Sequence, residues 1–156
     1  VNVIAPIMTV KGGKSWKQTI FYPFKHASNY GRGTVLNAIV DSPKYNSKDF
    51  SDIPVLDSTA VFEEESGNIV IFAVNRDQKN DLLLEGDLRG FDDKYKIVEH
   101  IIMQNDDPKA SNTADNPDNV VPQTQKIKDM IVKDGKFSLP ISKFSWNVIR
   151  LKRIFE

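Results

Sequence analysis

Ser58-Thr59-Ala60-Val61-Phe62-Glu63-Glu64, Glu65-Ser66-Gly67 and Asn68-Ile69-Val70-Ile71-Phe72-Ala73-Val74-Asn75 decide the fold class of this chain. Two runs rich in β-branched and aromatic residues flank a short polar turn with a glycine, which predicts a pair of strands joined tightly. Outward from this hairpin the same pattern recurs. Thr34 to Asp41, Leu82 to Arg89, Tyr95 to Met103, Lys136 to Pro140 and Trp146 to Lys152 each read as a strand. Turn chemistry separates them at Asn75-Arg76-Asp77, Gly90-Phe91-Asp92-Asp93 and Lys133-Asp134-Gly135-Lys136. Short strands in series without intervening helices predict a mainly β fold, an antiparallel β-sandwich. Asn105 to Gln125 is polar and too long for a simple hairpin connection, so it reads as a solvated loop.

The N-terminal part follows another rule. Val1-Asn2-Val3-Ile4-Ala5-Pro6-Ile7 has no polar face, the pattern of a strand covered on both sides in a parallel sheet or barrel. A turn at Lys11-Gly12-Gly13-Lys14 follows, then a helical stretch from about Thr19 to Tyr30. In it Ile20, Phe21, Phe24, Ala27 and Tyr30 form one apolar stripe, with Thr19 as N-cap, Pro23 near the first turn and Gly31 at C′. One parallel strand cannot make a sheet. Residues 1–30 are therefore expected to be the last β/α unit of a larger domain, residues 31–156 a second domain, and the chain the C-terminal piece of a longer protein.

Bulk properties exclude several classes. Lys plus Arg equals Asp plus Glu at 21 each, so no net charge draws the chain to nucleic acid or an anionic membrane. No apolar run approaches the roughly 20 residues of a membrane span. Cysteine is absent, which removes disulfides, thiolate chemistry and Cys-bound zinc and fits a cytoplasmic protein; no Asn-x-Ser/Thr acceptor points to glycosylation.

Each stretch that resembles chemistry has a plainer reading. Gly13-Lys14-Ser15 lacks the P-loop's first glycine, because Met8 stands there, and reads as a flexible turn. Glu99 and His100 are adjacent on a strand and point to opposite faces, so they cannot act on one proton together. His26 and His100 lack metal-ligand spacing and are assigned structural or surface roles. The Asn105 to Asn119 oxygen-rich loop has no glycine for the sharp turn of a calcium site. Glu63-Glu64-Glu65 and Asp92-Asp93 mark exposed strand ends; a retaining carboxylate pair must face across a bond at about 5–5.5 Å. Trp146 is expected to anchor the core.

Asn2-Val3-Ile4-Ala5-Pro6-Ile7-Met8-Thr9, Gly12 through Phe24 and His26-Ala27-Ser28-Asn29-Tyr30-Gly31-Arg32-Gly33 carry a resemblance more specific than any of these motifs. It continues at Asp41-Ser42-Pro43-Lys44-Tyr45, Ile71 to Asp77, Glu99-His100-Ile101, Asp115-Asn116-Pro117 and Leu139-Pro140 through Leu151. In this order, over nearly the whole chain, the segments resemble the C-terminal portion of α-L-arabinofuranosidases of glycoside hydrolase family 51. The resemblance implies the eighth strand and helix of a (β/α)8 barrel over residues 1–30 and a jelly-roll-like sandwich over residues 31–156. In that family the N-terminal segment of the whole protein can also contribute to the sandwich.

What the resemblance implies for the parent is retaining hydrolysis by two glutamates, which remove terminal α-L-arabinofuranosyl groups from arabinan or arabinoxylan without any cofactor. Barrel sites lie at the C-terminal ends of the strands, and both glutamates sit on earlier strands. None is carried onto this sequence, so no catalytic, cofactor-binding or metal-binding residue is assigned. Trp16, in the loop after strand eight, is the one residue placed at the pocket rim. The chain's own role is then structural: it partners the barrel of the same polypeptide and joins subunits of a homo-oligomer. A rival reading makes it a stand-alone carbohydrate-binding sandwich, with Trp16, Phe91 or Tyr95 as a stacking platform.

Overall fold

In a computed structural model the described residues are 4–91, 94–127 and 130–155. In chain order the elements begin with β1 (Ile7–Thr9), β2 (Ser15–Lys17), α1 (Phe21–Tyr30), β3 (Thr34–Leu36), β4 (Lys44–Tyr45), β5 (Ile53–Pro54), β6 (Leu56–Glu63) and β7 (Asn68–Asn75). They continue with β8 (Leu82–Asp87), β9 (Lys94–Gln104), β10 (Gln123–Thr124), β11 (Met130–Ile131), β12 (Lys136–Ile141) and β13 (Ser145–Ile154). Every pairing among them is antiparallel.

One broad sheet runs in the order β10-β9-β13-β7-β6-β3, with β11 also paired to β9. A β12–β8 ribbon forms the facing layer. Between them Ala60, Ile69, Ile71, Ile97, Ile149 and Leu151 of the sheet meet Leu84, Phe137, Leu139 and Ile141 of the ribbon. Each Ile, Leu or Phe side chain so taken from water contributes about 1.5–3 kcal/mol. On the opposite face Val61, Val70, Phe72, Ile101 and Val148 gather with Trp146 and with Tyr30 of α1. Both faces of β7 are thus covered, which is why Asn68–Asn75 is apolar almost throughout instead of alternating.

β9 serves both cores by changing phase. Leu151 pairs with Ile97 but Arg150 pairs with Glu99, so Val98 is an extra residue, a β-bulge. Before it Tyr95 and Ile97 face the ribbon; after it Ile101 faces the helix. The Asp134-Gly135 turn has φ of 51° and 71°, the left-handed pair that a two-residue hairpin turn requires, and it feeds β12.

Several expectations are corrected. β3 stops at Leu36 instead of reaching Asp41: Ala38 N–H turns back onto Leu36 O at 3.0 Å, and the far end of the β6 edge is taken by Ser42 Oγ, which accepts from Leu56 N–H, and by Pro43 O, which accepts from Val55 N–H, both at 2.8 Å. Thr19 is not the helix N-cap. Ile20 is, without a side-chain bond, and the carbonyls of Gln18 and Thr19 accept the first helical N–H groups. Gly31 does end the helix, through its N–H to Ala27 O at 2.8 Å, but with φ of −89° instead of a left-handed one. The 105–125 stretch is not simply solvated: Asn112 and Val120 are buried in it, and its end forms β10.

The opening run does not show as a buried strand. Val1 to Val3 lie outside the described residues, Ile4 is 80% exposed, and the chain enters a strand only at Ile7, antiparallel to β2. An apolar run reports a face that needs cover; it does not supply the cover.

Candidate functional site

β1 and β2 form a small hairpin, with Met8 opposite Trp16, closed by Val10 N–H to Lys14 O at 3.0 Å. Gly12-Gly13-Lys14 is therefore a turn between two strands, not the strand-to-helix loop that a bound phosphate would need. Trp16 is half-buried, and its indole N–H donates to the backbone carbonyl of Asn112 at 3.0 Å. Asn112 is 1% exposed. Its Nδ2 donates to Lys17 O (2.9 Å) and Val120 O (3.1 Å), while Oδ1 accepts from Val120 N–H (2.7 Å). Lys14 and Asp115 reinforce the junction at 3.4 Å, but both are exposed, so that pair contributes at most ~1 kcal/mol.

A second cluster docks α1 on the sheet. The Trp146 ring stacks on Phe72 with centroids 5.7 Å apart, and its indole N–H donates to His26 Nδ1 at 3.0 Å. Arg150 pairs with Glu99 at 2.7 Å and lies 4.7 Å over the Tyr30 ring. Trp146 thus anchors the helix-side core. Burial pushes the His26 imidazolium toward neutrality; Lys25 adds to this and Glu99 opposes it. Because Nδ1 accepts the indole proton, neutral His26 carries its own proton on Nε2.

Across the sheet, His100 Nε2 meets Asn147 Oδ1 at 3.0 Å. Asn147 Nδ2 donates to Ser145 Oγ and Ala73 O, and Asn75 Nδ2 donates to the carbonyls of Asn80 and Ser142. Burial lowers the His100 pKa, and the Asn147 bond partly offsets the shift. Both histidines are therefore buried and partnered within the fold.

The structure does not assemble a sugar platform from Tyr95 and Phe91. Tyr95 is 1% exposed, with its hydroxyl donating to Gly67 O at 3.0 Å, and Phe91 packs against Tyr95 and Phe62. Tyr95 is turned to the interlayer core by the period of β9, and Phe91, in the turn before it, packs on the same core, so the stacking reading is corrected for both. Glu63, Glu64 and Glu65 are exposed, and Glu64 accepts from Thr34 Oγ1, which lowers its pKa. The Asp92-Asp93 run lies outside the described residues. Among those described, no group of His, Asp or Glu is arranged to hold a metal ion.

A cleft of about 550 Å³ opens between β6–β7 and the ribbon, lined by Leu36, Ile71, Leu84, Phe91 and Phe137 among others. Asp87 at its rim is held ionised by Arg89, whose guanidinium lies 2.7 Å away.

Residues 1–145 match the family described as alpha-L-arabinofuranosidase C-terminal domain. The chain belongs to that family. An intracellular exo-α-(1→5)-L-arabinofuranosidase of Halalkalibacterium halodurans is 49% identical over 97% of this chain and 29% of its own length. One of the same name from Bacillus subtilis is 46% identical over 98% of this chain and 30% of its own length. A family 51 α-L-arabinofuranosidase from Bifidobacterium longum has the same fold, at a TM-score of 0.83 and 32% identity, over 96% of this chain and 29% of that one. This arabinofuranosidase C-terminal domain thus spans about three-tenths of the length of the relatives it matches. Among the described residues no helix is long and apolar enough to cross a membrane.

Of Trp16, Phe91 and Tyr95, the residues read from sequence as sugar contacts, Trp16 lies outside the interlayer core, on the hairpin held by Asn112. Asn112 itself was missed. It lies among other Asn and Asp residues, and nothing in composition separates the buried one from its exposed neighbours.

Proposed function

We propose that this chain is the C-terminal part of a cytoplasmic α-L-arabinofuranosidase that removes terminal α-L-arabinofuranosyl groups from arabinan and arabinoxylan fragments with retention. The observation that carries the reading is the pair of coverages: 97% of this chain against 29% of a relative bearing that activity in its name. Residues 1–30 are proposed as the last β/α unit of a (β/α)8 barrel and residues 31–156 as the sandwich that buttresses it. The two glutamates of the retaining reaction, one attacking the anomeric carbon and one protonating the leaving oxygen, belong to the rest of the polypeptide. No cofactor is needed for that chemistry.

Exposed Ile4, Ile7 and Phe24 support the barrel assignment, since a barrel would cover the apolar side of β1 and the outer side of α1. Subunit joining in a homo-oligomer is part of the same proposal. Incubating the purified chain with a chromogenic α-L-arabinofuranoside should release no chromophore, while the full-length polypeptide should turn it over. Turnover by the chain alone that survives repurification would overturn the placement of the chemistry.

A further inference from the structure

We infer that Asn112 is a positioning residue for the hydrolase: it clamps the β1–β2 hairpin and so holds Trp16 at the rim of the sugar pocket. The inference rests on the proposal above that residues 1–30 close a barrel, whose pocket would lie at the C-terminal ends of the strands.

The hairpin is too short to hold its own geometry. Two three-residue strands have little to bury, and an isolated ribbon is marginal even when longer. What fixes it comes from the sandwich, some 95 residues away in sequence. Asn112 uses both amide protons, on Lys17 O and Val120 O, its Oδ1 on Val120 N–H, and its backbone carbonyl on the Trp16 indole. The loop around it is braced too: Asn116 N–H donates to Thr113 Oγ1 at 3.0 Å and Asn119 Nδ2 to Ser111 O at 3.2 Å. A nearly inaccessible amide satisfied on every polar atom, inside an otherwise polar loop, is an abutment and not a solvated connection.

A rim aromatic touches the sugar about equally before and during reaction, so displacing it removes uniform binding. Such a loss raises KM and leaves kcat alone. The test uses the full-length polypeptide with 4-nitrophenyl α-L-arabinofuranoside as substrate. Asn112→Ala should raise KM about fivefold or more, the effect of losing about 1 kcal/mol of ring–sugar contact once the ring is no longer held, with kcat per folded enzyme nearly unchanged. Trp16→Phe keeps a smaller aromatic face and loses the indole N–H that bonds Asn112 O, so it should raise KM in the same direction. The double variant should fall short of the product of the two, because they remove separate bonds that hold one hairpin, and once either has released it the other has less left to release.

An unchanged KM in Asn112→Ala, with only a lower melting temperature, would overturn the inference and leave the proposed activity standing. Full additivity of the two changes would overturn it as well. Should Asn112→Ala not fold, an unmoved KM in Trp16→Phe decides against it. A full-length polypeptide with no arabinofuranosidase activity at all would instead bring down the proposed function, and this inference with it.

Discussion

Lowering the pH from 7 to 5 should destabilise the domain through two buried imidazoles, His26 and His100, well before any carboxylate contributes. Both are nearly inaccessible, and burial depresses both pKa values below the ordinary 6.5. In the unfolded chain each takes a proton near 6.5, whereas in the fold each resists it. The unfolded state therefore binds more protons, so stability is complete above pH 6.5 and declines as the pH falls through that value. One such group costs about 1.36 kcal/mol per pH unit, hence about 2 kcal/mol over the 1.5 units down to pH 5 and about 4 kcal/mol for the pair. That sum is a ceiling, reached if neither takes a proton in the fold.

The two differ in what protonation breaks. A charged His26 would set an N–H against the Trp146 N–H, destroying the bond that ties helix to sheet; a charged His100 keeps its bond to Asn147 and suffers burial alone. Urea unfolding at low protein concentration, followed by circular dichroism at steps from pH 7 to 5, measures the decline. His26→Gln and His100→Gln, which preserve an acceptor and a donor respectively, should each remove about half of the slope. A double variant that declines as steeply as the parent would refute the reasoning. The lowered pKa values of Asp77, Asp87 and Asp106 act in a separate window: the stability they supply is lost only as the pH falls below about 4.

Ile149→Ala, at a fully buried centre of the interlayer core, should cost about 2–5 kcal/mol in the same urea assay. Gly33→Ala should destabilise by about 1–3 kcal/mol: its φ is +135° and a Cβ would come within 2.1 Å of Phe62 O, so weaker amide protection should appear across β3–β6. At high concentration the isolated chain should self-associate through the uncovered apolar side around Ile4, Ile7 and Phe24. Sedimentation should show this, and Phe24→Ser should reduce it; a clean monomer would refute the exposed-patch reading.

Where the hydrophobic period was unbroken, the sequence was enough. Asn68–Asn75 is a strand over the span its composition predicts, and the Asp134-Gly135 turn falls where its residues demand left-handed backbone. Local pattern failed where a distant group decided the outcome. Residues 37–41 read as a continuation of β3, yet Ile39 is 97% exposed: Ala38 N–H turns back onto Leu36 O, and the far end of the edge they would join bonds Ser42 and Pro43. β10 and β11 are two-residue pieces that exist only because β9 offers them ladder partners. Trp16 was named from the family resemblance of its segment; Asn112, which holds it, was not, because that contact crosses the fold.

The bulge at Val98 makes β9 two strands in tandem, read in opposite frames. Upstream of it odd-numbered side chains belong to the layer shared with the ribbon; downstream they belong to the helix side. Removing Val98 alone would therefore act as a splice and not as a frameshift: Ile97 would still lie opposite Leu151 and Glu99 opposite Arg150, now in unbroken alternation, and the strand would lose only the bend that the extra residue gives it. A residue lost further along, at Ile101, would differ, because closing the same gap would carry the Glu99 carboxylate toward the dry interlayer. The spare residue thus makes this point of the strand the one place where a change of length is absorbed.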